Sequence, residues 1–167
     1  MENAVQDVVE GLGYTALGTR FKRIGERLQA QTLDLSVRLA GIDMPAGHNT
    51  VLAALDRHAP MRIGELADAL GQSQPGVTRM IGNMKRSGLV EIVSDDKDQR
   101  ISRVRLTDEG ERVTRQLKEV LWPAVEAAVT DLCSALSGSL LDQLGQIERA
   151  LAERPLNKRV RIRVKAR

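Results

Sequence analysis

Residues 63–86 read IGELADALGQSQPGVTRMIGNMKR, and this stretch decides the fold. Its first part predicts a short helix, because Leu66, Ala67 and Leu70 fall at helical spacing and form one apolar face. Gly71 follows as a helix stop, since glycine tolerates the positive φ of a helix C-terminus. The stretch therefore opens with a brief amphipathic helix and a tight turn.

The second part predicts another helix. Ser73 stands where an N-cap belongs, and Pro75 is tolerated in a first turn whose N–H groups lack intrahelical partners. The apolar face of this helix comprises Val77, Met80, Ile81 and Met84. The opposite face comprises Gln74, Thr78, Arg79, Asn83 and Arg86. This is a helix with one face for a core and one for a partner.

The polar face suits nucleic acid. Its Gln, Asn, Thr and Arg side chains match base-edge readout, and its extra cations match phosphates. The alternative is a solvated helix surface, which more typically carries Glu–Lys pairs one turn apart. Residues 74–86 contain no acid, so the composition favours recognition.

A β-hairpin is predicted next. The apolar, β-branched runs 89–93 and 101–106 are separated by the polar residues 94–100. Residues 61–63 are candidates for a brief third strand of the same sheet. Helix, turn, helix and hairpin in this order make a winged helix.

These residues resemble the winged helix of the MarR family of bacterial transcription regulators. The matching pieces are Glu65-Leu66-Ala67, Ser73-x-x-x-Val77-Thr78-Arg79-Met80-Ile81, Ser87-Gly88-Leu89-Val90, Asp98-Gln99-Arg100 and Val104-Arg105-Leu106-Thr107-x-x-Gly110. The last two pieces, a wing Asp-x-Arg and a strand ending in Leu-Thr-x-x-Gly, are the most specific. The pieces cover residues 61–110, and the flanking helices extend the resemblance to about 14–153.

The resemblance implies the site. In that family the second helix lies in the major groove and the wing arginine enters the adjacent minor groove. Here Arg100 would be the wing arginine, and Asp98 would orient its side chain. The alternative is that Asp98 and Arg100 form an ordinary surface ion pair. The candidate DNA contacts are Ser73, Gln74, Pro75, Thr78, Arg79, Asn83, Arg86, Lys97 and Arg100.

Long helices are predicted on both sides of the winged helix. An apolar stripe marks a helix over about 14–39, and a shorter helix runs from Pro45 to about Arg57. After the wing, Thr107 is a plausible N-cap of a helix that runs towards Leu132, and Pro123 predicts a kink near Val120–Leu121. A last helix carries the stripe Leu140, Leu144, Ile147 and Leu151, and Pro155 stops it.

These stripes exceed what a small winged helix can cover, which predicts a homodimer. The expected fold is mainly α with a small β-hairpin wing: a winged helix-turn-helix plus N- and C-terminal dimerisation helices. The expected organisation is N-terminal dimerisation helices (1–40), a DNA-binding domain (41–106), C-terminal dimerisation helices (107–153) and a basic tail (154–167).

Charge is unevenly distributed. The chain has a net charge of +3, but the tail alone carries seven cations and no acid, which leaves −4 for residues 1–153. Residues 79–105 nevertheless carry seven cations against four acids, as a phosphate-facing surface requires. The tail is equally compatible with a solvated extension and with a basic arm that adds sequence-independent DNA affinity.

Composition limits the other functions. The single cysteine excludes an internal disulfide and a multi-cysteine zinc site, so a reducing cytoplasm is the expected compartment. No apolar run reaches the length of a membrane span, so no membrane association is expected. Cys133 is expected to be buried and inert, because no neighbouring cation would lower its pKa. His48 and His58 lack acid partners at ligand or catalytic spacing, so surface or helix-end roles are expected.

The sequence therefore predicts a sequence-specific double-stranded DNA-binding transcriptional regulator, with a homodimeric repressor released by a small molecule or stress signal as the favoured form. Its partners would be a pseudo-palindromic operator, a second copy and an effector that nothing in the sequence identifies. The alternative is a winged helix that binds protein and has no specific DNA site. No catalytic group, metal site or cofactor is predicted, so an enzyme is not expected.

Overall fold

A computed structural model describes residues 7–94 and 101–159. The helices are α1 (Val8–Gly11), α2 (Leu17–Ala40), α3 (Gly47–His58), α4 (Ile63–Leu70), α5 (Gln74–Arg86), α6 (Asp108–Gln116), α7 (Trp122–Cys133), α8 (Leu140–Glu153) and α9 (Leu156–Arg159). The strands are β1 (Val90–Ser94) and β2 (Ser102–Leu106). The described chain divides into two compact units, with the division between Val125 and Glu126. Within the described ranges, every helix is too short or too polar to cross a membrane.

The helix ends follow the local chemistry of the chain. Gly41 ends α2 and Gly71 ends α4, with φ of 63° and 59°, where a side chain would be strained. The Ser73 hydroxyl accepts from the Gly76 N–H at 3.4 Å and caps α5 as predicted. The N-terminal helix begins at Leu17 rather than near Tyr14, because residues Gly13–Ala16 form a 3₁₀ turn before it.

The core of the first unit joins the winged helix to the helices around it. Its largest fully buried side chains include Leu52, Leu55, Leu66, Ile81, Met84, Leu117 and Leu121. They come from α3, α4, α5 and the segment that follows α6. One aliphatic cluster therefore fixes the position of α5, whose apolar face was predicted from its spacing.

The two apolar runs form an antiparallel hairpin, as predicted. Val90 pairs with Leu106 and Ile92 with Val104. The predicted third strand is a single bridge: Met61 and Val104 exchange two backbone hydrogen bonds, of 3.0 and 2.7 Å. Ile63 already begins α4, so residues 62 and 63 do not extend the sheet.

The helix after the wing changes its winding where proline predicted a kink. Thr107 caps α6 by accepting from the Gly110 N–H at 3.0 Å. The five residues Leu117–Leu121 are π-helical, and α7 starts beside Pro123. Proline lacks the N–H that would continue the α-helical ladder, so a local rearrangement just before it is expected.

The second unit contains α8 and α9. The Ser139 hydroxyl accepts from the Asp142 N–H at 3.2 Å and caps α8. Helix α8 ends at Glu153 before Pro155, as predicted, but the short helix α9 then follows, which the sequence did not predict. Cys133, at the end of α7, is half-buried rather than buried as expected.

Candidate nucleic-acid interface

Helix α5 presents its polar face to solvent. Val77, Ile81 and Met84 are buried beneath it. Every side chain predicted for the opposite face is exposed: Gln74, Thr78, Arg79, Asn83 and Arg86. The helix is therefore anchored by aliphatic packing alone, and its polar groups do not contribute to the core.

Two hydrogen bonds order this exposed face. The Thr78 hydroxyl donates to the Gln74 carbonyl oxygen at 2.8 Å. The Arg86 guanidinium donates to Oδ1 of Asn83. Arg79 has no hydrogen bond or ion pair within residues 7–94 and 101–159, so its guanidinium is available to an anion.

The N-terminal end of α5 is also exposed, at Ser73, Gln74 and Pro75. Ser73 uses its oxygen as the helix cap, which leaves its hydroxyl hydrogen free to donate. The N–H groups of a helix N-terminus and its partial positive charge favour phosphate. This end of the helix and Arg79 thus offer hydrogen-bond donors that can bind the phosphate oxygens of a nucleic acid.

The hairpin connects α5 to α6. Glu91 and Arg105 face each other across the strands, with an ion pair of 2.7 Å. Arg103 is bound to the rest of the unit through the Pro60 carbonyl oxygen at 3.2 Å and Glu65 at 3.8 Å. The predicted wing contacts Lys97 and Arg100, with the supporting residue Asp98, lie outside the described residues.

His48 lies at a helix end, which is one of the two expected positions, but it is buried and not on the surface. It lies in the first turn of α3 with 7% of its surface exposed, and Nδ1 has no partner within the described residues. Burial lowers the pKa of His48 from its ordinary value of 6.5, because the cation loses its hydration. This burial could not be predicted from the sequence, because the apolar face of α3 begins only at Val51.

An open groove of about 780 Å³ lies elsewhere in the first unit, between the end of α3, the hairpin and α6. Its lining mixes both signs of charge, including Arg57, Arg115 and Glu111. Two of its lining residues, Lys118 and Asp56, form an ion pair of 2.9 Å. The sequence analysis did not predict this groove.

Known proteins are similar to this chain over the winged helix. Residues 42–101 match the model of the MarR family. The transcriptional repressor MprA of Escherichia coli (strain K12) is 38% identical over 90 residues, which are 54% of this chain and 49% of MprA. Over its winged helix, the chain is therefore similar to the MarR family. It spans about half the length of this curated relative.

Solved structures of other transcription regulators share the fold. The PcaV transcriptional regulator of Streptomyces coelicolor, in complex with its natural ligand, has a TM-score of 0.66 at 21% identity and covers 90% of this chain and 97% of its own. The transcriptional repressor CouR, bound to a 23-mer DNA duplex, has a TM-score of 0.64 at 24% identity and covers 84% of this chain and 96% of its own. The mainly helical winged-helix fold is thereby confirmed.

Proposed function

We propose that this chain is a sequence-specific double-stranded DNA-binding transcriptional regulator that acts as a homodimer. The observation that carries the proposal is that α5 has three exposed cations (Arg79, Lys85 and Arg86) and no acid, and packs on a buried aliphatic core. Such a helix suits the major groove, where side chains read base edges. The family supports this assignment, since MprA and CouR are both described as transcriptional repressors.

The proposed contacts fall into two groups. Arg79, Thr78 and Asn83 project from the middle of α5 and would meet base edges, whereas Ser73, Gln74, Pro75 and Arg86 lie at the helix ends, nearer the phosphates. From the sequence we add Lys97 and Arg100 in the wing, with Asp98 orienting Arg100 towards a minor groove.

Dimerisation is proposed from apolar surface on the flanking helices. On α2, Phe21 and Ile24 are 40% and 49% exposed. On α8, Ile147 and Leu151 are 38% and 43% exposed. Exposed side chains of this kind on neighbouring helical turns indicate an interface. A two-fold dimer would carry two copies of α5 to successive major grooves of a pseudo-palindromic site.

We further propose that residues 1–40 and 107–153 form the dimer, that 41–106 bind DNA and that the tail 154–167 adds non-specific affinity. A repressor in the cytoplasm, without catalytic activity, fits the family best. A small molecule that changed the separation of the two α5 helices would release the DNA, because half-site spacing is a geometric constraint.

The test is binding of the purified chain to its own upstream intergenic DNA and to a scrambled duplex, across a salt series. Selective binding that weakens steeply with salt is expected, because bound cations displace counterions from the phosphates. Arg79→Ala should weaken it, whereas Arg149→Ala, which removes an exposed cation from α8, should not.

Equal affinity for both duplexes would contradict the proposal. If that binding also disappeared when residues 154–167 were removed, the tail alone would contact DNA. A salt-insensitive complex with a protein, without a DNA complex, would favour the protein-binding alternative.

A further inference from the structure

The side chain of Asn83 is oriented by its neighbour on α5. The Arg86 guanidinium, one turn further along the helix, donates a hydrogen bond to Oδ1 of Asn83. Both side chains are exposed on the polar face. An asparagine amide has one acceptor oxygen and one NH₂ donor group. With the oxygen facing Arg86, the Nδ2 group is left to meet a ligand.

Within residues 7–94 and 101–159, Arg86 has no second side-chain partner. Helix α5 contains no acid, and no carboxylate in the described part of the chain forms an ion pair with Arg86. A guanidinium has five N–H donors in a fixed plane, so the bond to Asn83 leaves further donors beside the amide. The two side chains together therefore present N–H groups and positive charge, with the acceptor oxygen placed between them.

This arrangement discriminates between purines. Guanine shows two acceptors in the major groove, O6 and N7, whereas adenine shows the N7 acceptor and an N6 amino donor. A free asparagine favours adenine, because it accepts from N6 and donates to N7 at once. In the Asn83–Arg86 pair, Arg86 already occupies one of the two lone pairs of Oδ1, so the adenine amino group would compete with a cation for that oxygen. Guanine needs only donors, which Nδ2 of Asn83 and the remaining guanidinium N–H groups supply.

We propose that Asn83 reads guanine rather than adenine, with Arg86 as the residue that positions its amide. The inference rests on the proposed DNA-binding function and adds the base class that one position of each half-site would require. It also predicts that Arg86 affects sequence preference, and not only affinity.

The experiment starts from a random double-stranded DNA library, from which the full-length protein selects its sites. Duplexes with single base changes are then compared by fluorescence anisotropy for the wild type and for Asn83→Ala, Arg86→Ala and Arg86→Lys. Lys85→Ala is the matched control, because Lys85 is an exposed cation next to Arg86 with no contact to Asn83. Circular dichroism verifies that each variant is folded.

At the position that Asn83→Ala relaxes, the wild type should prefer guanine over adenine by about 5- to 150-fold, the range that corresponds to 1–3 kcal/mol for a good base contact. Arg86→Ala should shift the preference at that position towards adenine. Arg86→Lys should keep guanine, since an ammonium can still donate to Oδ1. Lys85→Ala should weaken all duplexes alike.

Two results would overturn the inference while leaving the proposed function intact: adenine required by the wild type at that position, or a uniform loss for Arg86→Ala like that of Lys85→Ala. Selection of no sequence at all by the wild type would overturn the proposed function, and this inference with it.

Discussion

Gly110 offers the sharpest test of how the wing is joined to α6. A Cβ at this position would lie 2.0 Å from the backbone oxygen of Leu89 and 3.0 Å from its carbonyl carbon. The neighbouring backbone is fixed, because the Thr107 hydroxyl donates to the Gly88 carbonyl oxygen at 2.5 Å and the Thr107 N–H to Leu89 O at 3.2 Å. Gly110→Ala must therefore push α6 away from the end of α5 by about 1 Å, since Cβ contacts below 3.0 Å essentially never occur.

The cost follows from these contacts. Overpacking of a rigid site costs about 1–3 kcal/mol, and the two stretched hydrogen bonds would cost about 1 kcal/mol each. Alanine returns about 1 kcal/mol through its higher helix propensity. The net loss in the free energy of unfolding should be about 2–4 kcal/mol. Gly64→Ala is the control, because a Cβ there meets nothing within 4 Å.

The assay is urea unfolding followed by helical circular dichroism and by the fluorescence of Trp122, with all proteins at one protomer concentration because dimer stability depends on it. With a slope of about 1–3 kcal/mol per molar urea, the midpoint for Gly110→Ala should fall by about 1 M or more. Gly64→Ala should match or slightly exceed the wild type. A Gly110→Ala protein as stable as the wild type would show that the close approach of α6 to Leu89 is not a rigid contact.

Three further predictions concern the wing, His48 and the dimer. Arg100→Ala should weaken DNA binding by about 1–3 kcal/mol at sites with A·T-rich flanks, as measured by fluorescence anisotropy on duplexes with different flanks, and should leave dimerisation unchanged. Equal affinities of the wild type and the variant would contradict a minor-groove contact by Arg100. Burial holds the pKa of His48 below 6.5, so just below pH 6.5 the imidazole takes up a proton in the unfolded chain but not in the folded one. The free energy of unfolding should therefore be independent of His48 above pH 6.5 and should fall as the pH decreases towards the native pKa. In unfolding experiments across this pH range, His48→Leu should show a smaller decrease in the free energy of unfolding than the wild type, whereas the control His58→Gln, at an exposed site, should show the same decrease. A smaller decrease for His58→Gln and an unchanged one for His48→Leu would contradict the burial of His48. Ile24→Glu should shift sedimentation equilibrium towards monomer, and an unchanged mass would exclude this part of α2 from the interface.

The sequence predicted the winged helix because its signals are local. Ser73 and Gly71 mark a helix start and a helix stop through hydrogen bonding and φ, which need no tertiary information. The spacing of Val77 and Ile81 likewise separates the buried face of α5 from the exposed one. Exposure of the candidate contacts on α5 followed directly.

What the sequence did not predict depends on contacts between elements. The burial of His48 results from packing around α3, and no neighbour in the sequence indicates it. Gly110 belonged to a recognised motif, but its physical role appears only where α6 meets the carbonyl of Leu89. The bond between Arg86 and Asn83 is one of several pairings that α5 allows, so the spacing alone did not select it.

In the proposed complex, two copies of α5 read two half-sites on one duplex. Hydroxyl-radical footprinting combined with guanine methylation interference, on a duplex selected by the protein, tests it most directly. We predict two symmetric protected segments about 10–10.5 base pairs apart, with interference confined to the major groove of each. A single protected segment, or protection that does not depend on sequence, would contradict the account.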